Sequence, residues 1–265
     1  MCTVIVGYKL FKHAPLVVAA NRDELLDRPS RPPTLWGDTD VVPEILAPVD
    51  VSRLGTWIGV NERGLFAALT NRVDIVSVRD KASRGALVSQ ALQHTSAHDA
   101  MLRITALDAR LYNGFNLIVG DEACGLYVIR GDGVAGPERP YVQEVIPRAG
   151  SGLMIVTNLG VGPAHSPRAE AIERRYFSQA PQLIDDWIGL LNIHDPAPKT
   201  EPEWMKRMAS TCIHRPSEDN YGTRSSTFVT LNAHAHMWDY WHRERPQDAY
   251  ACNGIWRPHY LPIIR

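Results

Sequence analysis

The sequence predicts an α+β fold, two mainly antiparallel sheets flanked by helices, formed as a single domain over residues 1–265. Three observations lead there. The 265 residues are 45% hydrophobic and 22% charged, a globular composition with enough apolar side chains for a large core. Val- and Ile-rich runs gather at the two ends of the chain and enclose a helical middle. Finally, runs of strands alternate with runs of helices, without the strand–helix–strand rhythm of a doubly wound parallel sheet.

Residues 3–8 and 15–20 read as the arms of a first hairpin, joined across residues 9–14, with Cys2 beginning an inner strand. Asn21-Arg22-Asp23-Glu24 follows at the strand end, and residues 28–33 read as a Pro-rich polar loop. Residues 56–60 and 65–70 form a second hairpin through Asn61-Glu62-Arg63-Gly64, and Asn71 ends it. Ser83 is placed to cap a helix over 85–94 whose Val88, Ala91 and Leu92 share a face, and a second helix spans 97–109. Strands return at 115–119, 126–129 and 153–157, the last ending at Asn158. Pro167 opens a helix over 168–178, further helices are expected at 182–191 and 203–210, and residues 227–231 and 237–241 form a late strand pair. Residues 196–202 and 214–220 read as loops that mark no domain boundary.

Composition removes several functions. Twenty-eight basic against 29 acidic residues leave a net charge of −1 with no basic stripe, so no nucleic-acid partner is expected. The longest apolar runs are about half a membrane span, which excludes a transmembrane helix. The start carries neither a basic n-region nor a long apolar run, so the protein is expected to be cytoplasmic. Cys2, Cys124, Cys212 and Cys252 lie far apart without a CxxC pair, a spacing read as neither a disulfide scaffold nor a metal cluster. There is no Gly-rich phosphate loop, and no cofactor is expected.

Cysteine at position 2 carries the chemistry. Removal of Met1 would expose a thiol and an α-amine on one residue, a nucleophile with its own base, since such an amine titrates near ~7.7–8.0. The end of the first hairpin lies close to the N-terminus, so Asp23 could hold the terminal ammonium while Arg22 favours the thiolate. Asn71 and Asn158 also end apolar strands, where a side-chain amide can donate to an oxyanion.

Met1-Cys2-Thr3 with Asn21-Arg22-Asp23-Glu24, Leu69-Thr70-Asn71, Ser83-Arg84-Gly85, Gly114-Phe115-Asn116-Leu117 and Tyr221 through Thr227 resembles the NRDE family, also called the transport and Golgi organisation protein 2 family. That family is similar to N-terminal nucleophile (Ntn) hydrolases of the choloylglycine hydrolase and penicillin V acylase type. The resemblance implies a four-layer αββα sandwich and cleavage of a non-peptide amide. It implies Cys2 as nucleophile, Asp23 as the carboxylate near the α-amine, Asn71 as oxyanion donor, Asn158 as an orienting amide and Arg224 as the cation near the thiol. Asn21, Arg22 and Glu24 would orient these groups or bind substrate, and whether Asp23 or Glu24 serves Cys2 stays open. Those acylases carry an arginine three residues before the aspartate, where this chain has Ala20, so Arg22 would substitute from another position.

Two more groups are weighed. His234 and His236 would face one way on a strand and, with His242, could bind a metal or haem, although no further ligand stands at suitable spacing. Trp238, Tyr240 and Trp241 read as sheet packing, or as the wall of an apolar pocket. The leading expectation is an amidohydrolase acting on a small, partly apolar substrate. The alternative is a non-enzymatic carrier for a hydrophobic ligand such as haem or a lipid, a role the resemblance to eukaryotic family members implies.

Overall fold

A computed structural model describes residues 2–37, 43–179, 184–194, 209–215, 220–245, 252 and 254–264. The first strands, β1 (Thr3–Phe11) and β2 (Ala14–Leu25), form an antiparallel hairpin in the register Val4↔Ala20, Val6↔Val18, Tyr8↔Leu16. The chain then leaves to build a separate antiparallel sheet from β3 (Ser30–Trp36), β4 (Ile45–Asp50), β5 (Ile58–Asn61), β6 (Phe66–Asn71), β7 (Phe115–Asp121), β8 (Gly125–Gly131) and β9 (Tyr141–Pro147), in that spatial order. It returns through β10 (Gly152–Thr157), β11 (Gly160–Val161), β12 (His214–Arg215), β13 (Tyr221–Asn232), β14 (Met237–Glu244) and β15 (Arg257–Pro262). The first sheet thus runs β11-β10-β1-β2-β13-β14-β15, with β12 also paired to β13.

Helices are inserted where each sheet has an uncovered outer face. α1 (Gly85–Leu92) and α2 (Ala97–Thr105) lie between β6 and β7, and α3 (Pro167–Gln179) and α4 (Ile184–Leu190) between β11 and β12. Strand alternation sorts the side chains into three cores. Val4, Val6 and Tyr8 of β1 and Leu16, Val18 and Ala20 of β2 point between the sheets, against Phe66, Ile118 and Trp238. Ile5, Val17 and Ala19 point the other way, against Ile172 of α3 and Trp187 and Leu190 of α4. Leu87, Val88 and Ile104 of α1 and α2 cover Leu69 and Leu117 on the far face of the second sheet. Each fully buried large side chain contributes roughly 1.5–3 kcal/mol relative to exposure. The result is the expected four-layer αββα sandwich.

Several elements differ from the sequence reading. β2 does not stop before Asn21-Arg22-Asp23-Glu24 but runs through all four to Leu25, because β13 pairs along its whole length from Thr230↔Val17 to Tyr221↔Leu25. The expected polar loop contains β3, whose Pro32 and Pro33 fall in a register shift between Arg31 and Thr34. Proline lacks the N–H that a ladder needs, and β3 is an edge strand where none is required. Ser83 does not cap α1 through its side chain: Arg84 is the N-cap residue. His214 and Arg215, read as loop, form β12. The expected loop at 196–202, residues 203–208 of the expected helix, and residues 182–183 lie outside the described residues.

The three-histidine reading does not survive folding. His234 and His236 sit in the turn between β13 and β14, where His234 contacts His13. His242 is buried elsewhere, its Nδ1 3.0 Å from the Thr227 hydroxyl. Trp238 and Tyr240 are fully buried between the sheets, which makes them packing. Burial pushes His242 below its ordinary value, with Glu244 partly opposing. The unfolded chain therefore binds the proton more readily, and this contribution to stability is lost as pH falls through ~6.5 toward the lower folded value. Urea midpoints measured at pH 7.5 and pH 5 should fall further for the wild type than for His242→Gln; equal losses would show that His242 is not responsible.

Candidate functional site

Period-two alternation along β2 splits its polar tetrad. Thr3 is directly opposite Asn21, so the two share a face, and Cys2 shares the opposite face with Arg22 and Glu24. That inner face is the one already occupied by Val4 and Ala20. Cys2 therefore lies at the open end of the intersheet core, half-buried, with its thiol 4.0 Å from the Asp23 carbonyl oxygen.

A cavity of about 170 Å3 opens over Cys2, walled by Arg22, Glu24, Asn71 and Arg84 with Trp57 and Leu69. Arg22 stacks its guanidinium 4.2 Å from the Trp57 ring centroid and stands 3.8 Å from Asp50, while its Nη1 is buried without a hydrogen bond. Ala20 and Arg22 sit two residues apart on one face of β2, so Arg22 reaches the thiol from the same side that an arginine at position 20 would use. Burial pushes the Arg22 and Arg84 guanidiniums below their ordinary values, and the Cys2 sulfur and Glu24 carboxylate pull both back up. Both cations would gain from an anion placed between them.

Arg84 is brought in by a close backbone approach. A Cβ on Gly55 would sit 2.7 Å from the carbonyl carbon of Gly85, so glycine at 55 lets the loop before β5 touch the start of α1. Arg84 then donates to the Gly114 carbonyl at 3.0 Å, and the same carbonyl accepts from the Arg72 N–H.

A second cavity of about 360 Å3 adjoins the first, sharing Glu24, Asn71 and Arg84 and adding Asp23, Asn158 and Tyr221. The Asn71 side chain stands on the boundary and makes no hydrogen bond to another described residue. Its backbone carbonyl accepts from the Asn158 side-chain amide. Asn158 thus fixes the chain direction at Asn71, and its own carbonyl accepts from Val73. Beneath them, Thr70 and Asn116 both donate to the Thr157 carbonyl, at 3.0 and 3.2 Å, tying β6 and β7 to β10 across the two sheets.

Asp23 and Glu24 have different settings. Glu24 lines the Cys2 cavity, 3.7 Å from Arg28. The Asp23 carboxylate is fully buried on the outer face of β2, accepting from Arg168 of α3 at 3.1 Å and from the Thr223 hydroxyl at 2.6 Å. Arg168 also donates to Thr3. Asn21 is buried on that face too, donating to the Leu191 and Thr211 carbonyls at 2.8 Å each and accepting from Ser226, so it braces the fold and does not reach the cavity.

Arg224 does not take its expected place. It occupies the register shift of β13 between Thr223 and Ser225, donates to the Arg28 carbonyl at 3.4 Å and acts on Glu244. The guanidiniums that act on the Cys2 thiol are those of Arg22 and Arg84. Arg84 and Thr223 stand in the Ser83-Arg84-Gly85 motif and the motif over residues 221–227 with no role expected of them, and Arg168 belongs to none of the motifs. The signal was available for Arg84, a lone cation between Ser and Gly at a helix start. Thr223 lay within the motif over residues 221–227, and Arg168 had no such signal because it acts on Asp23 from a distant helix.

Comparisons with known proteins agree with this architecture. A family model described as Transport and Golgi organisation 2 matches residues 1–244. The Transport and Golgi organization protein 2 homolog of Bos taurus is 31% identical over 243 residues, covering 84% of each chain. The solved structure of the Caenorhabditis elegans N-acylethanolamine-hydrolyzing acid amidase ortholog superposes with a TM-score of 0.59 at 12% identity, covering 98% of this chain and 100% of that one. A variant conjugated bile acid hydrolase of Clostridium perfringens gives 0.50 at 10% identity, covering 99% of both. At such identities the structural likeness speaks to the fold, and that fold is the one of the Ntn hydrolases.

Proposed function

From the chain's place in the Transport and Golgi organisation 2 family, to which it belongs, and from the residues around Cys2, we propose that it hydrolyses an amide or related acyl bond of a small anionic molecule. One observation carries the reading: the thiol opens into a cavity whose wall includes two partly desolvated guanidiniums, Arg22 and Arg84, and the Asn71 side-chain amide, which makes no hydrogen bond to another described residue. A cavity of about 170 Å3 accepts a group of roughly benzene size, so only the reacting end of a substrate fits over Cys2. The wall carries Arg22, Arg28, Arg53, Lys81 and Arg84 against Glu24 and Asp50, which favours an acidic group over the partly apolar substrate expected from sequence.

In the proposed cycle the Cys2 α-amine, free once Met1 is removed, accepts the thiol proton. The thiolate attacks the carbonyl carbon, and the Asn71 amide donates to the oxyanion that forms. Collapse breaks the C–N bond as the α-ammonium returns its proton to the leaving amine, which departs through the adjoining cavity. Water then attacks the thioester, giving the acid and restoring the thiol.

Asn71→Ala should lower kcat by ~10²–10³ with little change in KM, because its donation strengthens only as charge develops. Arg84→Ala should instead raise KM for acidic acyl groups and leave neutral analogues unaffected. Both are read with a panel of acidic and neutral small amides and thioesters on Met1-free protein. Failure of every member to give a Cys2-dependent product would remove the hydrolase reading.

A second reading, carriage of a hydrophobic ligand such as haem or a lipid, draws on a different feature. A cavity of about 610 Å3 lies on the other face of the first sheet, between Phe11, Val17, Trp187 and Phe228. Under this reading Phe228→Ser weakens binding of an apolar probe and Cys2→Ser does not.

A further inference from the structure

We propose that His194, Cys212, His214 and Cys252 form a zinc site on the outer side of the first sheet, apart from the Cys2 cavity. His194 follows α4, Cys212 and His214 flank the start of β12, and Cys252 lies beyond β14, so three separate segments supply the four side chains. Their donor atoms all lie within 4.8 Å of one another. His214 Nε2 is 3.1 Å from the Cys212 sulfur and 3.5 Å from the Cys252 sulfur, and the His194 and His214 rings are 4.7 Å apart. In a tetrahedral zinc centre with Zn–S of ~2.3 Å and Zn–N of ~2.0–2.1 Å, neighbouring ligand atoms stand about 3.4–3.8 Å apart. The cluster already has that scale.

The donor set also fits. Two thiols and two imidazoles are the borderline-soft ligands zinc prefers, and its binding would displace two thiol protons to leave an uncharged centre. A disulfide would use the two sulfurs but gives no role to two converging imidazoles. Four protein ligands complete the coordination shell, which marks a structural rather than a catalytic ion. Exposure of His194 leaves a route for the metal to enter.

The backbone around the ligands is held in place. Ile193 and Thr211 bond reciprocally, the Cys212 N–H reaches the Ile193 carbonyl, and Ile213 and Thr223 pair β12 to β13. Arg243 donates both to the Cys252 carbonyl and to the Asn192 side chain, linking the fourth ligand to the first. Such outer contacts orient metal ligands. Because Asn21 of β2 donates to Leu191 and Thr211, a metal here would fasten the back of the strand that carries Arg22. The proposal does not depend on the hydrolase reading.

The test uses the full chain, purified under reducing conditions and stripped with a chelator. Titration with Co2+ should give one equivalent bound, with thiolate-to-cobalt charge-transfer bands and the intense visible bands of a tetrahedral site, and Zn2+ should displace it. Saturating Zn2+ should raise Tm. Cys212→Ser and His194→Ala should each weaken Zn2+ binding by about 100-fold or more, while Cys124→Ser should leave it unchanged. The exposed His194 carries little packing, so its variant tests the site even if Cys212→Ser does not fold. Absence of the charge-transfer bands, unaltered binding in His194→Ala, or a Cys212–Cys252 disulfide that persists through purification under reducing conditions would overturn the proposal.

Discussion

Replacing Cys2 with alanine in Met1-free protein should abolish acyl transfer, a loss of roughly 10⁴-fold or more, while far-ultraviolet circular dichroism stays unchanged. The magnitude follows from the chemistry: among the described residues lining the cavity, Cys2 alone combines a thiol with an α-amine that can take its proton. Burial pushes the Cys2 thiol above its ordinary value; the terminal ammonium of the chain opposes the rise, the Asp23 carboxylate adds to it and Arg22 opposes it. While Met1 is attached, therefore, the thiolate is scarce at pH 7 and iodoacetamide should label Cys2 more slowly than an exposed free cysteine. Labelling should accelerate as pH rises past the ordinary thiol range. Loss of Met1 puts a base that titrates near ~8 on the same residue and should bring fast labelling down to neutral pH. Intact mass identifies which form is present, and labelling at pH 7 and pH 9 separates them. Equal slow rates for both forms would leave the α-amine without a catalytic role.

The second large effect is on stability. Arg168→Ala should destabilise the protein by about 3–5 kcal/mol, because it takes away the guanidinium that pairs with the fully buried Asp23 carboxylate while the charge stays inside the protein. The pair stands out for its burial, 3% and 0% side-chain exposure, whereas Arg28–Asp50, Arg72–Asp74 and Arg130–Asp132 each have at least one partner open to solvent screening. It also fastens α3 to the start of β1 through Thr3. Combining Arg168→Met with Asp23→Asn removes both charges and should recover most of the loss in urea melts. If the double variant is as unstable as Arg168→Ala, packing of the arginine stem rather than the buried charge sets the cost.

Two antiparallel sheets flanked by helices were legible from local patterns, period-two apolar strands with helices grouped between them, and family membership from short motifs read in order; the four-layer αββα stacking came with that resemblance. Even the split of Asn21-Arg22-Asp23-Glu24 into two faces follows from alternation, once the strand is known to continue. Its continuation was not legible. Four polar residues resemble a turn until β13, some 200 residues away, supplies a ladder along their whole length.

The sequence by itself determined that Cys2 lies at the start of an inner strand, immediately before β1 and beside Arg22, since hairpin pairing between neighbouring segments has few alternatives. Only the tertiary structure decided which distant groups meet that thiol. Arg84 arrives because Gly55 and Gly85 let two backbones touch, Asp23 turns outward to Arg168 on a helix, and Arg224 is carried to Arg28 by a register shift in β13. The same holds for Cys212 and Cys252, 40 positions apart with nothing in their spacing to suggest a cluster, which converge with two histidines where separate segments cross the outer side of one sheet. Residue periodicity constrains the face a side chain takes on its own strand. The neighbours it finds there depend on how whole layers stack, a property of the packed chain that no local pattern encodes.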